Sequence, residues 1–198
     1  AEGGGGDYTI FNILEITGKD KFEQVAFWRC NTVDIEHAAL EFWVMFAQLF
    51  NPERTLISIE WNTYGALFYN YLLRLNETDY MTEHSWRFNY TDEVEMNSIV
   101  YYKKSANEED VAGLNIANKG KMVPGIRFNS SNKKTACALL KMLLEKQDVI
   151  VTDTYTITEI ENFEDKNGNG SYEASWGHDD LIMTFCQIPM LMQTSKYK

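Results

Sequence analysis

The chain has 198 residues, 44% of them hydrophobic and 14% aromatic, so one well-packed domain is expected and wholesale disorder is excluded. A formal net charge of −11 argues against a protein that grips nucleic acid through a broad basic face. It leaves room for an enzyme that meets nucleic acid through bound cations, because such a site must itself be acidic. No apolar run approaches the ~20 residues of a membrane span, and nothing reads as a secretion leader. Cys30, Cys137 and Cys186 are well separated in sequence and offer neither a disulfide framework nor a paired-cysteine metal motif. Each sits among apolar neighbours as a buried thiol would, so a reduced, cytoplasmic protein is expected.

A glycine-rich opening, Ala1 to Gly6, leads into a hairpin. Tyr8 to Ile16 alternates apolar and polar residues, Thr17-Gly18-Lys19-Asp20 turns, and Phe22 to Cys30 returns. Asp34 offers an N-cap for a helix from Ile35 to Phe50, which Asn51-Pro52 ends. Thr55 to Glu60 has the near-continuous apolar centre of a strand buried on both faces, and a second helix is expected over Ala66 to Leu75. Tyr80 to Tyr102 mixes aromatics and charge in short strand-like pieces, Ser105 to Asp110 is acidic, and Asn118 to Lys121 reads as a loop. Lys133 to Lys146 carries apolar residues on one helical face, and Val149 to Val151 is a strand. Tyr155 to Phe163 is an element at the sheet's margin, Asp165 to Gly170 a turn, Tyr172 to Ala174 a short strand, and Asp179 to Met192 a final helix. A hairpin followed by alternating strands and helices predicts an α/β domain with a mixed sheet flanked by helices.

Two acidic segments could carry chemistry. Ile57-Ser58-Ile59-Glu60 puts a carboxylate where a buried strand leaves the sheet, with Asn62 and Gly65 shaping the turn, and ligand groups in α/β sheets gather at strand carboxyl ends. A solvated loop glutamate is the plainer reading. His178-Asp179-Asp180-Leu181 opens the last helix, where one aspartate suffices as a cap; paired aspartates beside a histidine also suit a hard cation with oxygen ligands. Asp7 follows four glycines that permit close approach to a ligand, but no Gly-Lys-Ser/Thr follows, which excludes a P-loop. Asp165 to Gly170 matches half of a calcium loop, yet the twelfth position would be Trp176 where a bidentate glutamate is needed, so a hairpin tip is the better reading. Arg127, Lys133 and Lys134, with Lys119 and Lys121, are the candidates for phosphate contacts, against a solvated helix face. Trp28, Trp43, Trp61, Trp86 and Trp176 read as packing rather than base-stacking platforms.

Taken in order, these segments resemble the nuclease domain of tailed-bacteriophage terminase large subunits. The matching stretches are the glycine-rich Ala1 to Thr9 with its Asp7-Tyr8-Thr9 step; Glu60, Asn62 and Gly65; Gly125-Ile126-Arg127 with Ser131-Asn132-Lys133; Glu159 and Phe163; and His178 to Leu181 with the apolar run to Met192. The resemblance implies a single RNase H-like nuclease domain over 1–198, cutting concatemeric viral DNA with two Mg²⁺ or Mn²⁺ ions. It implies Glu60, Asp179 and Asp180 as catalytic metal ligands, Asp7 as an accessory ligand, His178 and Asn62 in support, and Arg127, Lys133 and Lys134 on DNA. The family's opening catalytic aspartate and its ATPase domain would lie upstream of Ala1. Implied partners are double-stranded DNA, that ATPase domain, the portal and the small terminase subunit, with no membrane, in an infected or lysogenic bacterial host. The rivals are another RNase H-like nuclease (a resolvase or transposase core) and a non-catalytic assembly module docking on portal or ATPase.

Overall fold

A computed structural model describes residues 8–76, 99–104, 122–166, 168, 170 and 172–193. The opening hairpin forms as its alternation predicts. Strand β1 (Thr9–Gly18) pairs antiparallel with β2 (Lys21–Cys30), in a register that sets Thr9 opposite Cys30 and Gly18 opposite Lys21. Helix α1 (Ile35–Leu49) starts where Asp34 Oδ1 accepts the His37 amide at 2.9 Å. Asn51 and Pro52 end that run and begin a single 3₁₀ turn, Pro52–Arg54.

Helix α2 (Thr63–Asn76) begins three residues before the expected Ala66, because the Asn62 side chain accepts the Gly65 amide at 2.8 Å and so satisfies an otherwise unpaired first-turn donor. Strands β3 (Tyr102–Lys104) and β4 (Met122–Pro124) pair antiparallel. Helix α3 (Ser130–Glu145) likewise starts ahead of Lys133: Asn129 caps Ser131 and Asn132, and Asn132 reciprocates to the Asn129 amide.

Strand β5 (Val149–Ile150) lies parallel to β2, giving a mixed three-stranded sheet in the order β1-β2-β5. The marginal element at Tyr155 resolves into helix α4 (Thr154–Glu161), capped by Asp153, and strand β6 (Phe163–Asp165), which pairs antiparallel with β7 (Tyr172–Ala174). The turn between them is held by Asp165, whose carboxylate accepts the Gly170 amide at 2.7 Å, as a hairpin tip requires. The expected last helix is broken in two, α5 (Asp180–Phe185) and α6 (Ile188–Met192). Pro189 has no N–H to donate back to Phe185, so the first helix stops and a new one begins at the proline.

The result is a mixed α/β chain that divides into two compact units, Ala1–Thr32 with Phe128–Lys198, and Val33–Arg127. In the first, Phe22, Leu140, Val149, Ile182 and Phe185 form the buried core between the sheet and α3, α5 and α6. Cys137 and Cys186, distant in sequence, meet in this core as free thiols with sulfurs 3.7 Å apart, whereas Cys30 is only half-buried. In the second unit α1 packs on α2, with the Phe42 ring edge-on to Phe68 and Trp43, Phe46 and Leu72 buried. Among the described residues no helix is long and apolar enough to cross a membrane.

Candidate functional site

In the first unit the polar chemistry gathers where α5 begins. Asp179 holds the cap position but its side chain makes no capping hydrogen bond; its Oδ2 instead lies 3.7 Å from Lys133 Nζ on α3. Asp180, on the first turn, has Oδ2 3.6 Å from His178 Nδ1 and accepts the Tyr8 amide at 3.1 Å. The Tyr8 ring meets His178 edge-on, with centroids 4.8 Å apart, and carries the Arg29 guanidinium 3.6 Å from its centroid. The half-buried carboxylates of Asp179 and Asp180 are therefore ringed by a lysine, a histidine and an arginine-bearing tyrosine. All of these belong to one unit.

The capping role passes to a residue 22 positions upstream of Leu181. Glu159 on α4 is only 6% exposed, and one of its oxygens accepts the amides of Leu181 at 2.7 Å and Ile182 at 3.1 Å. Burial pushes its carboxyl up to about 7; the Ile182 and Leu181 amides pull the other way, Asp180 adds to the rise, and Arg29 opposes it. The other carboxyl oxygen, Oε1, is buried with no hydrogen-bond partner among the described residues.

A chain of side-chain hydrogen bonds fixes α5 against the sheet. Gln24, 4% exposed on β2, donates to Asn12 on β1 at 3.1 Å and to Thr156 on α4 at 3.0 Å. Asn12 donates in turn to Thr184 of α5 at 2.9 Å, and Thr184 donates to the Leu181 carbonyl at 2.6 Å. Alternation in β1 and β2 places Asn12 and Gln24, but their inward polar partners were not legible from the sequence.

In the second unit Glu60 is half-buried. Its segment is not the continuous strand expected over Thr55 to Glu60, but a backbone held by parallel bridges, Ile57 to Val100 and Glu60 to Ile126. Main-chain bonds do the holding: the Ile57 amide donates to the Ile99 carbonyl at 2.7 Å, Ile126 donates to Ile59 at 2.7 Å, and Trp61 donates to Ile126 at 2.7 Å. Ile57, Ile59 and Trp61 point into the core, and Ser58 and Glu60 alternate away from it, so burial is on one face and not on both. Two glycines make the close approach possible. A Cβ at Gly65 would strike the Glu60 carbonyl oxygen, and one at Gly125, where φ is +85°, would strike that of Ile59. These are the glycines of the Glu-x-Asn-x-x-Gly and Gly-x-Arg segments, so both motifs have a steric reason.

Arg127 is exposed in the second unit; Lys134 is exposed on α3, its stem running alongside Gly170. Asp7, Lys119, Lys121, Trp86 and most of Tyr80 to Asp110 lie outside the described residues. Trp43 and Trp61 are buried as packing residues and Trp28 stacks on Phe11 at 4.7 Å, whereas Trp176 is 65% exposed, two residues before His178. Sequence reasoning gave no role to Tyr8 or Arg29 and did not place Glu159 at the cap. The available signal was a glutamate three residues after Thr156, on the inward face of a helix that otherwise looks amphipathic.

Among the described residues no group of three or more histidine, cysteine or acidic side chains is arranged to hold a metal. The oxygen donors of Asp179 and Asp180 are of the class that hard divalent cations take. Compared with known proteins, the chain matches no protein-family model and no curated protein sequence.

Proposed function

We propose that the chain is a metal-dependent DNA endonuclease domain of the phage terminase type, with an RNase H-like fold. The observation that carries the reading is the arrangement at α5. Two adjacent aspartates stand at a helix start, and neither is needed to cap Leu181 and Ile182, because Glu159 does so. Supporting it are the order of the motifs along the chain, the antiparallel β1-β2 pair with β5 parallel beside it, and the steric need for Gly65 and Gly125 around Glu60.

In this reading Asp179 or Asp180 would offer oxygen ligands to Mg²⁺ or Mn²⁺ in the first unit, with Asp7 as an accessory ligand, and Glu60 would offer a carboxylate in the second. Bound divalent cations supply an activated water and charge stabilisation for phosphodiester hydrolysis. The protein's own residues do the positioning. His178 and Tyr8 orient Asp180, and Asn62 shapes the turn after Glu60. Lys133, 3.7 Å from Asp179, offsets carboxylate repulsion, and Lys133 and Lys134 in the first unit and Arg127 in the second would each offer charge to the DNA backbone. The substrate is double-stranded viral DNA, and an ATPase domain, the portal and the small terminase subunit are the expected partners.

A second reading, a non-catalytic module docking on portal or ATPase, draws on the same ion pair, since Lys133 already neutralises Asp179. Manganese-dependent nicking of supercoiled plasmid separates the two. The nuclease reading expects nicking by the chain, lost in Glu60→Ala. Absence of nicking, together with absence of Mn²⁺ binding by calorimetry, favours the docking module.

A further inference from the structure

Two nucleophilic side chains of the first unit take no part in the proposed site. Cys137 lies within α3 and Cys186 at the joint where α5 ends and α6 begins, 49 residues apart in sequence. Both are free thiols, 4% and 0% exposed, and their sulfurs stand 3.7 Å apart. They share one buried cluster with Ala136, Leu140, Phe185 and Ile188. Packing explains each cysteine singly as a small apolar side chain. It does not require the two sulfurs to meet from separate elements.

A disulfide holds its sulfurs about 2 Å apart, so closure asks the 3.7 Å gap to shrink by about 1.7 Å. The place to yield is Cys186, which ends one short helix while Gln187 begins the next. The two thiols are also unequal. Hydrogen bonding with Cys186 holds the Cys137 thiol below its ordinary value; burial opposes this and Lys133 assists it. The same hydrogen bond, with burial, pushes the Cys186 thiol up. Lys133, one turn before Cys137 on α3, has a side chain 33% exposed, so the pair lies close beneath the surface.

We infer that Cys137 and Cys186 are an oxidation site, a dithiol that hydrogen peroxide closes into an internal disulfide bracing α3 against the α5–α6 joint. The inference stands apart from the nuclease reading. Peroxide is little larger than water, so it reaches sulfurs that a thiol-labelling reagent cannot. The Cys137 thiolate attacks one peroxide oxygen, the O–O bond breaks, and the departing hydroxide takes up the proton that Cys137 gave, leaving a sulfenic acid and water. The Cys186 sulfur then attacks the Cys137 sulfur, the S–O bond breaks, and the hydroxide leaves with the Cys186 proton as a second water. Two thiols lose two protons and two electrons between them, and one peroxide becomes two waters.

The test uses the full chain, reduced and then exposed to hydrogen peroxide under native conditions. Once peroxide is removed, unfolding in urea with an alkylating reagent, followed by peptide mass mapping, reads the state of each cysteine. The expected main product is a peptide pair linked through Cys137 and Cys186, two hydrogens lighter than its parts and separated again by dithiothreitol. The link closes a long loop of the unfolded chain, so the melting temperature should rise by about 5–10 °C. Cys186→Ala treated alike should show no rise. The mapping is made on the unaltered chain and does not depend on that variant folding. Recovery of Cys137 and Cys186 as alkylated thiols while Cys30 is oxidised overturns the oxidation site, as does a link that forms only in urea. A linked chain whose melting temperature is unchanged or lowered overturns the brace.

Discussion

The two units hold their candidate acidic residues by opposite means. In the second, Glu60 is set by main chain: three amide-to-carbonyl bonds between Ile57, Ile59, Trp61, Ile99 and Ile126, made possible by Gly65 and Gly125. In the first, Asp179 and Asp180 are set by side chains: Glu159 at the helix start, the Gln24-Asn12-Thr184 relay behind it, and Lys133, His178 and Tyr8 around the carboxylates. A glycine-shaped backbone tolerates almost no substitution, because an added Cβ meets a carbonyl. A side-chain network yields by degrees, because each member has a neighbour that can move.

The largest effect should come from the backbone-set region. Gly125→Ala puts a Cβ against the Ile59 carbonyl at a positive φ, and should cost about 3–5 kcal/mol in urea unfolding from strain and overpacking together. A loss under about 1 kcal/mol would show that the approach of the two backbones is looser than described.

The side-chain region should instead reveal itself through pH. The Glu159 carboxyl is raised from its ordinary 4.5 to about 7, so the folded state holds the proton more tightly than the unfolded one. That contribution is complete below pH 4.5 and is lost as pH rises through 7. At roughly 1.4 kcal/mol per pH unit it amounts to about 3 kcal/mol across the window. Against Glu159→Gln, which does not titrate, the wild-type chain should lose stability by that order between pH 4.5 and 7. Parallel stability curves for the two would remove the buried carboxyl from the account.

Smaller changes refine the comparison. Gln24→Leu leaves Asn12 and Thr156 without a donor and should cost about 1–3 kcal/mol in thermal unfolding. Asn129→Ala removes the α3 cap and should cost about 1 kcal/mol, read by urea midpoint. Smallest of all, thiol titration under native conditions should label Cys30 well ahead of Cys137 and Cys186, which react only on unfolding.

Features whose cause is local were legible in the sequence. The hairpin, the Asp34 cap, the stop at Asn51-Pro52 and the Asp165 turn each depend on neighbours a few residues away. Asn62 and Asn129 cap their helices, but both helices were read three residues short, since apolar periodicity begins only inside the first turn. Apolar character carried the last helix through Cys186 to Met192, although Pro189 is the signal that divides it. Within the candidate site, the His178 to Asp180 cluster and Glu60 stood out as acidic residues at element ends. Lys133 was visible as a cation whose partner was not. What could not be read were pairings across long stretches of chain: Glu159 with Leu181 and Ile182, Cys137 with Cys186, and Arg29 over Tyr8. A buried glutamate in a helix looks, residue by residue, like a solvated one.

The most direct test of the central claim is a manganese titration followed by paramagnetic broadening of backbone amide signals. The account predicts early, selective loss of the signals from Gly177 to Ile182 and from Glu60 to Asn62, with Glu145 and Glu164 unaffected at the same metal ratio. Broadening spread over the exposed acidic surface, with residues 177–182 and 60–62 spared, would contradict it.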